Sequence, residues 1–278
     1  MLALPMVAPQ GKKTATIRVG IGGWVFPAWR GTFYPKNLPQ ARELEYASRN
    51  LTSIEINATF YGAQKPASFR RWHDETPKNF AFALKGPRFA THRRDLSEAG
   101  ASVERFFASG VLELREKLGP VLWQFPPTAR FDEKNFAAFL AVLPQRIDDR
   151  VIRHAIEVSH ASFAAPKFVE LMREHGVALA FVDSEDRPAF FDLTADFVYA
   201  RLRRSVASEP AGYPQRALNA WAQRFKTWAA GGESKDFSRV HAEAAPAAKA
   251  RDCFVYFISG AKERAPAAAQ ALLTQLAR

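Results

Sequence analysis

The chain has 278 residues, 47% hydrophobic and 24% charged, an ordinary balance for a globular enzyme and enough to bury one large core. Its net charge of +11 favours encounters with phosphate-bearing partners but says nothing of fold. A single cysteine excludes an internal disulfide and a cysteine-built zinc site, which suits a reducing cytoplasm, and no apolar run reaches the ~18 residues of a membrane span.

Residues 1–16 read as a flexible leader, because the apolar start is too short for a signal core and lacks a basic flank. The first strand candidate, 17–23, ends in Gly20, Gly22 and Gly23. Val25 stands where a dinucleotide-binding loop would need its third glycine, so a doubly wound sheet loses its signature. Trp24, Phe26, Trp29, Phe33 and Tyr34 crowd the following loop, either as a plug over the core or as a stacking wall for a base or sugar ring. The second candidate, 53–60, alternates. Ile54, Ile56, Ala58 and Phe60 take one face, and Glu55, Asn57 and Thr59 the other, with Tyr61 next in line.

Pro66 opens a helix that carries Phe69 and Trp72. Strand candidate 80–86 bears Lys85 near its end, and His92 follows in the loop. Candidate 119–125 ends at Gln124 before the stiff Pro126-Pro127 pair. Asp132 caps a helix striped by Phe136, Phe139, Leu140 and Leu143. Candidate 154–160 holds Glu157 inside an H-x-x-E-x-x-H pattern. On a strand His154 and His160 share one face and Glu157 takes the other, so the three cannot bind one ion. A helix over 166–175 stops at Gly176. Candidate 178–184 ends near Asp183, and the stretch before candidate 197–203 leaves room for only a helical stub. Arg201, Arg203 and Arg204 close that strand. Trp221, Phe225 and Trp228 stripe a further helix, 231–252 reads as a flexible surface insertion, and Cys253 opens the last candidate, 253–259.

Eight strands alternating with helices predict one TIM-type (β/α)8 barrel over 17–278, an α/β domain with a closed parallel sheet inside its helices. Lone polar residues near the strands' C-terminal ends then converge on one mouth, because buried charge needs partners. Glu55, Glu157 and Asp183 are candidate acid–base carboxylates and Lys85 their cationic partner. Trp24, Asn57, Tyr61, His92, Gln124, His160 and Arg201 are candidate ligand contacts. The bland alternative is that each carboxylate forms a structural pair with Lys85 or Arg201. Six histidines are too few for a multi-zinc centre. A Mg²⁺ on Glu55, Glu157 and Asp183 stays open, since hard cations accept carboxylates and water, and nothing in the sequence requires one.

The chain resembles the domain-of-unknown-function 72 family, the YecE-like proteins. The resemblance rests on Gly20-Ile21-Gly22-Gly23-Trp24 with Trp29-Arg30-Gly31-Thr32-Phe33-Tyr34-Pro35, on Glu55-Ile56-Asn57-Ala58-Thr59-Phe60-Tyr61, and on Phe80-Ala81-Phe82-Ala83-Leu84-Lys85-Gly86-Pro87 with Thr91-His92. It continues through Trp123-Gln124-Phe125-Pro126-Pro127, His154-Ala155-Ile156-Glu157, Val182-Asp183-Ser184 and Tyr199-Ala200-Arg201-Leu202. It implies a TIM-type barrel in a mainly bacterial, cytoplasmic family, and it implies no reaction. Ser159, Arg203-Arg204 and Ser259-Gly260 depart from the family pattern at the ends of strands five, seven and eight.

Three functions compete on this reading. The first is a barrel enzyme using acid–base chemistry on a small polar, anionic ligand. The second is a divalent-metal phosphodiester or nucleic-acid enzyme. The third is a non-catalytic binding barrel with a partly lost site. None involves a membrane.

Overall fold

The structure, a computed structural model, describes residues 15–242 and 248–278. Most of the expected leader, and residues 243–247 of the expected insertion, lie outside the described residues. The barrel strands are β1 Ile17–Gly22, β2 Ser53–Ile56, β3 Ala81–Lys85, β4 Leu118–Gln124, β5 His154–Glu157, β6 Ala178–Asp183, β7 Phe197–Leu202 and β8 Asp252–Phe257. All pair in parallel, and β1 pairs with both β2 and β8, in registers that include Gly20↔Ser53 and Ile17↔Cys253. The sheet is therefore closed, with no open edge.

The strand interiors alternate large and small. Ala81, Ala83, Ala155, Ala178 and Ala180 face inward beside Leu122, Phe197, Tyr199, Phe254 and Tyr256, forming a core separate from the larger one between sheet and helices. The small residues leave the room that the four aromatic rings fill. Gly20 is required where β1 and β2 approach, because a Cβ there would lie 1.9 Å from the Ser53 carbonyl oxygen.

The outer helices are α1 Glu43–Asn50, α2 Pro66–Glu75, α3 Gly100–Ala108, α4 Glu133–Ala141, α5 Pro166–Glu174, α6 Gln215–Ala229 and α7 Ala265–Leu276. The sixth crossover, 184–196, has no helix at all, not even the expected stub. It is short and carries Pro188, and its Thr194 side chain ties it to the start of β6 instead: Thr194 Oγ1 accepts from the Leu179 amide at 2.8 Å and donates to the Val177 carbonyl at 2.7 Å. The chain after α6 comes across to cover the gap. Phe237 stacks on Phe191 at 3.7 Å, the Asp192 carboxylate accepts the Val240 and His241 amides at 2.8 and 2.9 Å, and His241 reaches Glu170 of α5 at 3.4 Å. The described part of the expected flexible insertion is thus tied to the barrel wall.

Two strands are shorter than the alternation suggests. β2 stops at Ile56, Asn57 turns helical (φ −88°, ψ −21°), and Ala58–Tyr61 form one helical turn. Asn57 and Thr59 therefore do not continue the strand face of Glu55. The turn is stabilised because Thr59 Oγ1 donates to the Lys85 carbonyl at 2.7 Å. β5 stops at Glu157, so His160 lies past the strand rather than on the face of His154. A short antiparallel hairpin, Arg146–Ile147 with Arg150–Val151, was not anticipated.

Candidate functional site

Alternation on the closed sheet sends Glu55, Lys85, Gln124, Glu157 and Arg201 into the barrel at the strands' C-terminal ends. Beneath them Tyr256 OH meets Ser53 Oγ at 2.7 Å, and Ser53 Oγ donates to the Ala81 carbonyl at 2.7 Å. Arg201 stands at the centre of the charged layer. Its Nε and Nη2 donate to the two oxygens of Glu55 at 3.1 and 3.0 Å, and its Nη1 donates to Glu157 Oε2. Tyr199 OH donates to Glu55 Oε2 at 2.7 Å. Gln124 Nε2 donates to Glu157 Oε1 at 2.8 Å, and Gln124 Oε1 accepts from Lys85 Nζ at 2.7 Å. Lys85 Nζ also lies over the Phe60 ring, 4.0 Å from its centre. The result is one chain of bonds from Tyr199 through Glu55, Arg201, Glu157 and Gln124 to Lys85.

Above this layer lies a cavity of about 270 Å³, lined among others by Lys85, Gln124, Arg201, Arg203, Lys262 and Asn57. Arg203 Nη1 is buried, makes no hydrogen bond among the described residues, and lies 4.0 Å from Glu157 Oε1. Lys262 Nζ sits 4.6 Å from the Phe26 ring centre, and its carbonyl accepts from Trp29 Nε1 at 3.0 Å. Among the described residues the cations Lys85, Arg201, Arg203 and Lys262 line or border this cavity against the carboxylates of Glu55 and Glu157, with Asp186 also acting on Arg203, and the surplus is positive.

The titration behaviour follows from these contacts. Burial, reinforced by the Arg201 charge, pushes the Lys85 amine down to about 8. Burial alone would raise Glu157, but the Arg201 charge and the hydrogen bonds from Arg201 and Gln124 outweigh it, and the carboxyl sits below its usual range. Both Glu157 oxygens accept bonds, and both Glu55 oxygens accept from Arg201. The two carboxylates clamp Arg201, the arrangement foreseen as their structural alternative.

The other expected site residues are dispersed. Asp183 does not face the barrel axis. Its neighbour Val182 pairs with inward Arg201, so Asp183 points outward, where Tyr213 OH donates to it at 3.3 Å and Arg204 approaches to 3.7 Å. Burial raises its carboxyl. A Mg²⁺ site on Glu55, Glu157 and Asp183 is therefore not assembled, and among the described residues no three His, Cys, Asp or Glu side chains stand together in a way that could hold a metal. His154 points to the outer core, accepting from Trp123 Nε1 at 3.0 Å on Nδ1 and bonding the Pro144 carbonyl through Nε2 at 2.8 Å. His160 accepts the Ser162 amide at 3.1 Å and caps the turn Ala161–Phe163.

Trp24 packs edge-on against Trp72 at 5.3 Å, and the loop aromatics around Trp29 form a buried plug. Tyr61 is 67% exposed beside Phe60. His92 lines a separate, larger cleft of about 720 Å³ with Arg93, Arg94 and Arg130. Its ring is 5.6 Å from Phe60, and burial, then Arg88, lower its pKa. Sequence reasoning placed Arg203 and Arg204 at the end of a strand without giving them a part in the site, and overlooked Lys262. For Arg203 the available signal was spacing, since it continues the inward series Tyr199, Arg201. Lys262 follows the last strand without any such periodicity.

Comparison with known proteins completes the description. Residues 18–278 match the family model described as "Protein of unknown function DUF72". The UPF0759 protein YunF of Bacillus subtilis is 30% identical over 160 residues, 55% of this chain and 54% of YunF. The UPF0759 protein YecE of Escherichia coli K12 is 27% identical over 152 residues, 54% of this chain and 50% of YecE. The chain therefore matches about half the length of these curated relatives. A crystal structure of a Thermotoga maritima protein of the same family superposes with a TM-score of 0.71 at 21% identity, covering 95% of this chain and all of that one. No helix among the described residues is long and apolar enough to cross a membrane.

Proposed function

This chain belongs to the DUF72 family of proteins of unknown function, and from that premise we propose that its barrel is an enzyme acting on a small anionic ligand at the C-terminal mouth. The observation that carries the reading is Arg203, a half-buried side chain whose buried Nη1 makes no hydrogen bond among the described residues, at a cavity where cations outnumber carboxylates. A buried donor left unmatched costs about 1–3 kcal/mol, and an anion would satisfy it. In this scheme Arg203 and Lys262 bind the anion, Arg201 stabilises developing negative charge, and Glu55 and Glu157 orient Arg201. Lys85 takes the acid–base role that sequence reasoning gave to the carboxylates, because its amine loses a proton near pH 8. The lone buried cysteine suits a cytoplasmic setting.

Thermal melts with inorganic phosphate, sulfate and small dicarboxylates test the site. At least one should raise the melting temperature of the wild type, and Arg203→Met should abolish the rise. No rise with any of them would end the anion reading.

A second reading has its own observation. Among the described residues Arg94 and Arg130 in the 720 Å³ cleft make no ion pair, and exposed Tyr61 and Phe89 stand on short helical turns after the second and third strands. Basic and aromatic side chains together suit a nucleic-acid strand. Binding of a labelled single-stranded oligonucleotide should then fall steeply with salt and weaken in Arg94→Ala. Absence of binding at low salt would remove this reading, since phosphate contacts are strongest there.

A further inference from the structure

We propose that Lys85 is a nucleophile whose ε-amine forms an imine with a small aldehyde or ketone that also carries a carboxylate or phosphate. The inference rests on the anion reading above and adds to it the bond that forms. A comparison of two buried lysines motivates it. Lys117 is fully engaged: its Nζ donates to the carbonyls of His73 and Thr76 and to Thr76 Oγ1. Lys85 makes a single hydrogen bond among the described residues, to Gln124 Oε1, and rests on the Phe60 face. No described carboxylate lies within ion-pair distance to hold its proton, and its remaining face lines the cavity.

The amine is also positioned. Glu157 accepts from Gln124 Nε2 and so turns Gln124 Oε1 toward Lys85, while Thr59 fixes the Lys85 carbonyl. This is more organisation than a spare cation needs. A merely electrostatic lysine would keep its proton, whereas burial and the facing Arg201 and Arg203 charges here favour the neutral form. The anionic substituent of the ligand would lie toward Arg203 and Lys262, leaving its carbonyl carbon to the amine.

The step balances without a cofactor. The nitrogen lone pair attacks the carbonyl carbon, the carbon–oxygen π pair moves to oxygen, and one proton passes from the nitrogen to that oxygen to give a neutral carbinolamine. Nitrogen then expels that hydroxyl as water after a second protonation, and loss of the N–H proton leaves the imine. One amine and one carbonyl compound give one imine and one water.

The test uses the full chain with glyoxylate and cyanoborohydride, which reduces an imine to a stable secondary amine, followed by peptide mapping. Lys85 should be carboxymethylated roughly tenfold faster at pH 8 than exposed Lys167, since an ordinary lysine amine is almost wholly protonated there. The Lys85 rate should climb as pH rises through about 8, and inorganic phosphate should suppress it. Labelling of Lys85 no faster than Lys167 would overturn the proposal, even if anions stabilise the protein and the binding site stands. Fast labelling of Lys85 unaffected by any anion would support the nucleophile and count against the anion site, so the two failures are separable.

Discussion

At the scale of single residues, the mouth of this barrel keeps one group in an unfavourable charge state. Lys85 has a folded pKa of about 8 against an ordinary 10.5, so below pH 8 the fold holds a proton that the unfolded chain binds more tightly. The sign follows. The penalty is present in full below about pH 8 and disappears as pH rises towards the unfolded value, so this contribution to stability improves with pH. Lys85→Met should therefore stabilise the protein by about 1–2 kcal/mol at pH 7, less than the shift alone implies because Gln124 Oε1 loses its donor. Urea unfolding at pH 7 and pH 10 checks it: the gain should shrink at the higher pH. An equal loss of stability at both would mean that the amine serves the fold. A stabilising loss of a polar residue is the usual mark of a group kept for function.

At the scale of elements, the strands work because small residues stand where backbones or rings approach. Gly20→Ala would place a methyl 1.9 Å from the Ser53 carbonyl oxygen, across the β1–β2 ladder, whereas Gly62, in extended backbone with open space about it, tolerates the same change. Gly20→Ala should lower stability by about 3 kcal/mol or more and Gly62→Ala by less than about 1 kcal/mol, compared by thermal melts. The same pair of faces explains what was legible in the sequence. Apolar runs and their spacing located all eight strands, and the polar residues Glu55, Lys85, Gln124, Glu157 and Arg201 near strand ends marked the charged layer. The phase of each strand was harder to read. Both faces of a barrel strand are buried, one in the barrel and one under helices, so an apolar run does not say which side is in. Asp183 was misassigned for that reason, one residue out of step with Val182. Asn57 and Thr59 continued a perfect alternation past the point where the chain had turned into the helical turn that Thr59 ties to the Lys85 carbonyl. Lys262 reaches the cavity from a strand-following loop, whose path depends on contacts distant in sequence, whereas Arg203 only continues the inward spacing of Tyr199 and Arg201 past the strand's end.

At the scale of the whole molecule, closure makes every strand depend on its neighbours, and a buried titration anywhere is felt as global stability. His154 is held neutral, with burial pushing it down to about 4, between Trp123 and the Pro144 carbonyl. Its folded pKa lies below the unfolded 6.5, so the unfolded chain binds the extra proton first. The stability is complete above pH 6.5 and is lost as pH falls towards 4, by about 3 kcal/mol in all. His154→Gln should flatten the difference between urea midpoints at pH 7 and pH 4.5, and an unchanged difference would place the acid sensitivity elsewhere. The side of the barrel without a helix carries a different consequence. Phe181 of β6 meets Phe191 at 5.4 Å, Phe191 stacks on Phe237, and Phe237 approaches Trp221 at 5.8 Å. The stretch that brings Phe237 there is loop in form and supplies no residue to the lining of the mouth cavity, yet its excision would open a greasy window in the barrel wall. Shortening this loop would be felt first in the test tube as turbidity, with the chemistry of the mouth intact in whatever stayed dissolved.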